Sequence, residues 1–238
     1  MYHINAVDEV TQWEILAAVE KIAESYLVSV LESMLVGFPF VIRGFHSDNG
    51  SEFVNKTVAK LLNRFTKGRP RHTNDNGLVE SKNGLVVRKH LGNAYIPQAW
   101  DEALNRYYSE FLNSYINFHR PCFFPVSIID PRGKVKKAYP YREVMTPYEK
   151  LKSLPEAASY LRQSVTIEKL DDSANQMSDN EFAERMVKAR SNLLQDICRW
   201  TERVAWGFPS PPHTTPQTYQ GTQSKRNRIT TSPGSFFD

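Results

Sequence analysis

The run from Val41 to Ser47, which continues the apolar stretch Phe38 to Ile42, stops at Asp48-Asn49-Gly50, and this junction constrains the chain more than any other segment. The run predicts a buried strand, Asn49-Gly50 a turn, and Ser51 or Asn55 the start of a helix reaching about Leu62. Strand, turn and helix in that order predict an α/β fold with Asp48 at a strand's C-terminal edge. Ligand sites of open α/β sheets gather at that edge.

The flanking segments supply partners for such a strand. Tyr2 to Val7 and Gln12 to Val19 are short, alternating or β-branched, and separated by Asp8-Glu9-Val10-Thr11, which predicts a hairpin. Ala23, Tyr26, Leu27, Val30, Leu31, Met34 and Leu35 recur at helical spacing until Gly37 and Pro39. Asn74 or Asp75 can cap a further helix to about Leu91, on which Glu80 shares a face with Asn83, Gly84, Val87 and Leu91. Lys82 falls inside the apolar stripe of that helix. A second helix follows from Pro97, with Trp100, Leu104, Tyr107, Tyr108, Phe111, Leu112 and Tyr115 on one side, and ends before His119-Arg120-Pro121. Its aromatics read as core rather than as a base-stacking platform.

Beyond Pro125 the pattern changes. Val126 to Ile129 and Lys134 to Tyr139 predict a small hairpin around Asp130-Pro-Arg-Gly133, and Thr146-Pro-Tyr-Glu-Lys150 opens a short helix. Residues 179 to 200 form an amphipathic helix, with Phe182, Met186, Ala189, Leu193 and Ile197 on one side, that either packs on the core or pairs with another copy. From Trp206 onward Pro, Ser, Thr, Gln and Gly predict disorder. The organisation expected is a core over 1–125, a small β-rich region over 126–170, an amphipathic helix over 171–205 and a tail over 206–238.

Charge points to a polyanion. The whole chain carries +4, yet between Arg43 and His90 ten Lys or Arg stand against Asp48, Glu52, Asp75 and Glu80. Lys and Arg displace condensed counterions from phosphates, so this segment suits a nucleic acid, with a solvated basic face as the alternative. Within it Asp48 and Glu80, 32 positions apart, can converge on a divalent cation such as Mg²⁺ or Mn²⁺. Without such a ligand Asp48 is a turn residue and Glu80 an exposed helix charge. Cys122 and Cys198 are too few for a disulfide scaffold and lack Cys-x-x-Cys spacing, which argues against structural zinc. The longest apolar stretches are too short to span a bilayer and no signal peptide follows Met1, which predicts a cytoplasmic chain without a membrane partner.

Taken together, His46-Ser-Asp48-Asn-Gly-Ser-Glu-Phe53, Gly77-Leu-Val-Glu80-Ser-Lys-Asn83 and Asn117-Phe-His-Arg-Pro121 resemble the integrase-type (DDE) transposases of bacterial insertion sequences over roughly residues 1 to 125. The resemblance implies an RNase H-like mixed sheet flanked by helices. It also implies an Asp, Asp, Glu triad holding two Mg²⁺ ions, with Asp48 as the second acid and Glu80 as the third. The activity implied is DNA strand cleavage and transfer, with transposon ends and target DNA as partners and a homo-oligomer possible. Lys67, Arg69, Arg71, Lys82, Arg88 and Lys89 are the expected phosphate contacts.

Two departures accompany the resemblance. The strand that carries the family's first Asp would precede the hairpin, and this chain begins too late to contain it; Asp8 is the only acid in a superficially similar position. The interval from Asp48 to Glu80 is several residues shorter than the family's usual one, which bears on where Glu80 points. The expectations are therefore a transposase fragment inactive alone, a DNA-binding remnant without catalysis, or a self-associating interaction protein.

Overall fold

The computed structural model describes residues 1–47, 65–67, 77–93, 95–131 and 133–206, and of residues 24, 25, 45–47, 65–67 and 77 the backbone alone. The expected helix from Ser51 or Asn55 to Leu62, the Asn74 or Asp75 cap, and the tail from 207 lie outside the described residues.

The chain opens with the predicted hairpin. Strands β1 (Tyr2–Val7) and β2 (Glu14–Val19) pair antiparallel from Tyr2↔Val19 to Val7↔Glu14. Asp8 Oδ2 accepts from the Thr11 backbone N–H at 2.7 Å and from its hydroxyl at 2.6 Å, which ties the turn together. Gln12 takes a left-handed φ of 57° in that turn, so β2 starts at Glu14 rather than at the expected Gln12. Helix α1 (Glu24–Val36) follows and stops at Gly37, where a Cβ would stand 2.8 Å from Ile15 Cδ1. A side chain at this position would have to push the end of Ile15 aside.

The strand expected over 41–47 is shorter in the structure. Phe40 forms an antiparallel bridge to Leu161, and the Val41 N–H donates to the Tyr160 carbonyl, so those residues serve a contact distant in sequence. Strand β3 (Phe45–Ser47) remains, and it pairs parallel with β4 (Phe65–Lys67). Helix α2 occupies 77–91 as α-helical Gly77–Lys82, a wide i→i+5 stretch Asn83–Arg88, and Lys89–Leu91. Gly92 ends it at φ 74°.

Helix α3 covers 101–119, with wide turns at Tyr108–Leu112 and Tyr115–His119. Short strands β5 (Cys122–Phe123), β6 (Val126–Ile129), β7 (Val135–Ala138) and β8 (Val144–Met145) then pair β5 with β8 and β6 with β7. The predicted small hairpin is thus present. Helix α4 (Pro147–Lys152) starts on a reciprocal cap between Thr146 and Glu149, α5 (Ala157–Tyr160) and α6 (Ile167–Asn175) follow, and α7 (Asp179–Ala205) starts on a second such cap between Ser178 and Glu181.

Two helical layers enclose the hairpin. Side chains alternate along a strand, so Ile15, Ala17 and Val19 face one core with Leu27, Leu31 and Met34 of α1, Tyr148 and Leu151 of α4, and Leu170 of α6. Leu16 and Ala18 face the other, with Val86 and Leu91 of α2, Leu104, Tyr108, Leu112 and Ile116 of α3, and Met186 and Ile197 of α7. Helix α7 therefore packs on the core, the first of the two alternatives left open by the sequence. Residues beyond 125 contribute to the same two cores as residues before it.

The architecture is mixed α and β, with antiparallel and parallel strand pairs. Among the described residues no ladder joins the hairpin to the β3–β4 pair. No helix among the described residues is long and apolar enough to cross a membrane.

Candidate active site

Asp48, Arg69 and Arg71 lie outside the described residues, but the backbone that leads to them does not. Strands β3 and β4 run parallel with Ser47 opposite Lys67, so both strands reach the same sheet edge one residue before Asp48 and one before Gly68. The C-terminal end of a strand is where ligand sites of α/β sheets gather, and in sequence Asp48 follows β3 and the basic segment 67–71 begins at the end of β4.

Glu80 stands in the first turn of α2 and is exposed. It forms no hydrogen bond or ion pair among the described residues. Asp8 differs, because Oδ2 already accepts from Thr11 twice and holds the hairpin turn. Hard carboxylate oxygens such as those of Asp48 and Glu80 suit Mg²⁺. Among the described residues no cluster of three or more His, Cys, Asp or Glu is placed to hold a metal ion.

Helix α2 presents Glu80 because its opposite side is anchored. Lys82, Val86 and His90 recur every four residues and are buried, while Ser81, Leu85, Arg88 and Lys89 are exposed. Arg88 and Lys89 thus sit where a phosphate could reach them. Lys82, expected as a phosphate contact, does not: it is 5% exposed, with Nζ 3.8 Å from the Glu14 carboxylate and 3.2 Å from Cys122 Sγ. The physical reason is Glu14, a carboxylate on β2 that is 1% exposed and requires an internal counter-charge.

Glu14 has a second supporter. Asn5 Nδ2 donates at 3.0 Å to Glu14 Oε1 and at 3.0 Å to Asn83 Oδ1, linking β1, β2 and α2 through one amide. Burial raises the Glu14 pKa, against the opposing pull of Lys82, the Asn5 hydrogen bond and Arg120. Burial also lowers His90 to about 4, with nearby Arg190, Arg120 and Lys89 adding to the effect, so this ring on the inner side of α2 is neutral at pH 7.

The Asn117-Phe-His-Arg-Pro121 segment acts on the same strand. In an antiparallel pair alternate residues direct N–H and C=O outward, and on β2 these are Glu14, Leu16 and Ala18. Asn117 Oδ1 accepts from the Glu14 N–H at 2.8 Å while its Nδ2 donates to the Glu14 carbonyl at 2.7 Å. Asn113 repeats the exchange with Leu16 at 3.0 and 3.2 Å, and Asn105 with Ala18 at 2.7 and 2.8 Å. Three side-chain amides thereby replace a neighbouring strand. At 3.6 residues per turn the eight positions from 105 to 113 overshoot two turns by nearly one residue, and the wide turn at Tyr108–Leu112 absorbs it. His119, next in the segment, is buried and meets Asp179 Oδ1 at 2.8 Å, which fastens α3 to the start of α7.

These amides, Glu14 and the inward turn of Lys82 were not assigned roles from sequence. Their signal was present as polar residues inside otherwise apolar stripes. A groove of about 570 Å³ lies along the amide-sealed edge, bordered by Trp13, Ser33, Met34, Arg106 and Ser109, and neither Glu80 nor Arg88 lines it.

No known family model matches the chain. It is 30% identical over 121 residues to the uncharacterized protein y4rM of Sinorhizobium fredii, a match covering 49% of this chain and 34% of that protein. The chain thus spans about a third of the length of the curated relative it matches.

Proposed function

We propose that this chain belongs to a DNA transposition enzyme of the integrase type and that its site acts by metal-assisted phosphoryl transfer, with Asp48 and Glu80 as two of the metal-holding acids. The observation that carries the reading is the junction at Ser47: a parallel strand pair ends one residue before Asp48, and α2 offers Glu80 as an exposed carboxylate with no partner among the described residues. The layered hairpin supports an RNase H-like arrangement, as does the outward edge of β1, where the N–H and C=O groups of His3, Asn5 and Val7 have no backbone partner among the described residues. In that arrangement another strand lies beside this one.

Bound there, two Mg²⁺ ions would activate the attacking oxygen and stabilise the leaving 3′ oxygen of an in-line displacement at phosphorus. The chain's own contribution is positional. Val86 and His90 hold α2 against the core so that Glu80 faces outward, and Arg88 and Lys89, with Lys67, Arg69 and Arg71 from the β4 side, attract the DNA backbone. Lys82 acts by neutralising Glu14 and seating the helix, not by touching phosphate.

The test is Mg²⁺- or Mn²⁺-dependent cleavage or joining of labelled duplex DNA. Activity that disappears in Asp48→Asn and in Glu80→Gln supports the reading, and activity indifferent to both overturns it. One observation favours a second reading, DNA binding without chemistry: the Asp8 carboxylate is engaged in its turn and does not supply a further ligand. In that case affinity falls steeply between low and moderate salt, with no product at any metal concentration.

A further inference from the structure

Glu14, Lys82 and Cys122 have no part in phosphoryl transfer, yet they form a compact buried group. Lys82 Nζ lies 3.2 Å from Cys122 Sγ, within the range from which one atom attacks another. Both residues are nearly enclosed, Lys82 at 5% and Cys122 at 7% exposure. Beside them Glu14 Oε2 is buried without a hydrogen bond, 3.8 Å from the same Nζ. A nucleophilic nitrogen, an oxidisable sulfur and an open proton acceptor therefore share one enclosed site. Cys198, the other cysteine, is exposed and away from this group.

We propose that Lys82 and Cys122 are a peroxide-responsive pair that closes a sulfur–nitrogen cross-link between α2 and β5. Hydrogen peroxide first oxidises the Cys122 thiol to a sulfenic acid. An S–O bond forms, the O–O bond breaks, and the thiol proton departs with the displaced hydroxide as water. The Lys82 ammonium then passes one proton to Glu14 Oε2, and the neutral nitrogen attacks sulfur. An N–S bond forms, the S–O bond breaks, and the leaving hydroxide takes a second proton from nitrogen as water. In sum, one thiol, one amine and one peroxide give one sulfenamide and two waters; sulfur is oxidised and peroxide reduced. The product removes the buried charge pair, since Glu14 ends as a neutral carboxyl and the ammonium is gone. It also staples the helix that carries Glu80 to the segment that follows α3.

The experiment uses the full chain carrying Cys198→Ser, in which Cys122 is the remaining cysteine. The folded protein, checked by circular dichroism, is exposed to hydrogen peroxide, digested and read by mass spectrometry. The expected product is a peptide pair joined through residues 82 and 122, lighter by two hydrogens than its separate parts and released by a thiol reductant. Lys82→Arg in the same background keeps the charge beside Glu14 but cannot form the link, and its sulfenic acid is instead captured by a cyclic 1,3-diketone. Cys122→Ser must lose the product whatever becomes of the arginine variant. Oxidation of Cys122 with no joined peptide overturns the proposal, as does a thiol that stays reduced under peroxide in the folded chain.

Discussion

The two strands of the hairpin have the same length and pair residue for residue, yet the structure treats their outer edges differently. All six residues of β2 are buried, and its outward N–H and C=O groups are matched by Asn105, Asn113 and Asn117. On β1 only Ile4 is buried, and the outward groups of His3, Asn5 and Val7 meet no described backbone. The difference teaches what makes an edge final. Paired backbone groups cannot recruit another strand, whereas unpaired ones are a template for it. One edge of this sheet is closed by side chains, and the other has no backbone partner among the described residues.

Proline gives the largest separation between the edges. Ala18→Pro removes an N–H that Asn105 accepts inside a fully buried strand, and a loss of more than about 3 kcal/mol in chemical denaturation is expected. His3→Pro places the same change where the N–H points outward, and costs about 1 kcal/mol or less, chiefly through the lost contact with the Tyr108 hydroxyl. Equal losses would erase the distinction. Lys82→Met comes next: it leaves Glu14 buried without its counter-charge, at about 3 kcal/mol, and the added change Glu14→Gln recovers most of that loss. Failure of the second change to compensate would show that Lys82 acts mainly through packing. Asn117→Ala, which strands both backbone groups of Glu14, should cost about 2 kcal/mol in the same measurement, while Asn105→Ala, in a partly buried setting, should cost less.

The smallest effects are the titrations of His90 and Glu14. Burial lowers His90 from an ordinary 6.5 to about 4, so the folded state favours the neutral ring. Its contribution to stability is complete above the unfolded value and is lost as pH falls from 6.5 toward 4; His90→Asn should flatten stability across that window, and an unchanged slope would contradict it. Glu14 behaves oppositely, because its raised pKa favours the protonated form. Its contribution is present below about 4.5 and declines as pH rises through the folded value, so denaturation midpoints followed upward from pH 4 should fall less in Glu14→Gln/Lys82→Met than in the parent.

Much of the local structure was legible in the residues. Regular spacing announced α1, the helix beginning after Pro97 and the amphipathic α7, and alternation announced both hairpins. The position of Glu80 on an exposed helical turn was legible for the same reason. The polar members of apolar stripes are not legible in this way, since nothing local to Lys82, Asn105 or Asn113 announces the buried partner each one meets. A lysine's charge suggests solvent until a buried carboxylate is found for it, and Glu14 is 68 positions away in the chain. The strand over 41–47 was overextended because Phe40 and Val41 meet Leu161 and Tyr160, partners that no local pattern announces.

By itself the sequence determined which segments coil, which extend and where two acidic motifs stand, because periodicity, turn residues and caps act over a few neighbours. Tertiary structure alone decided that α7 covers the core, that three asparagines close one sheet edge, and that Lys82 turns inward. Those outcomes depend on matching buried charges and backbone groups across long stretches of chain, where the cost of an unpaired polar atom overrides local preference.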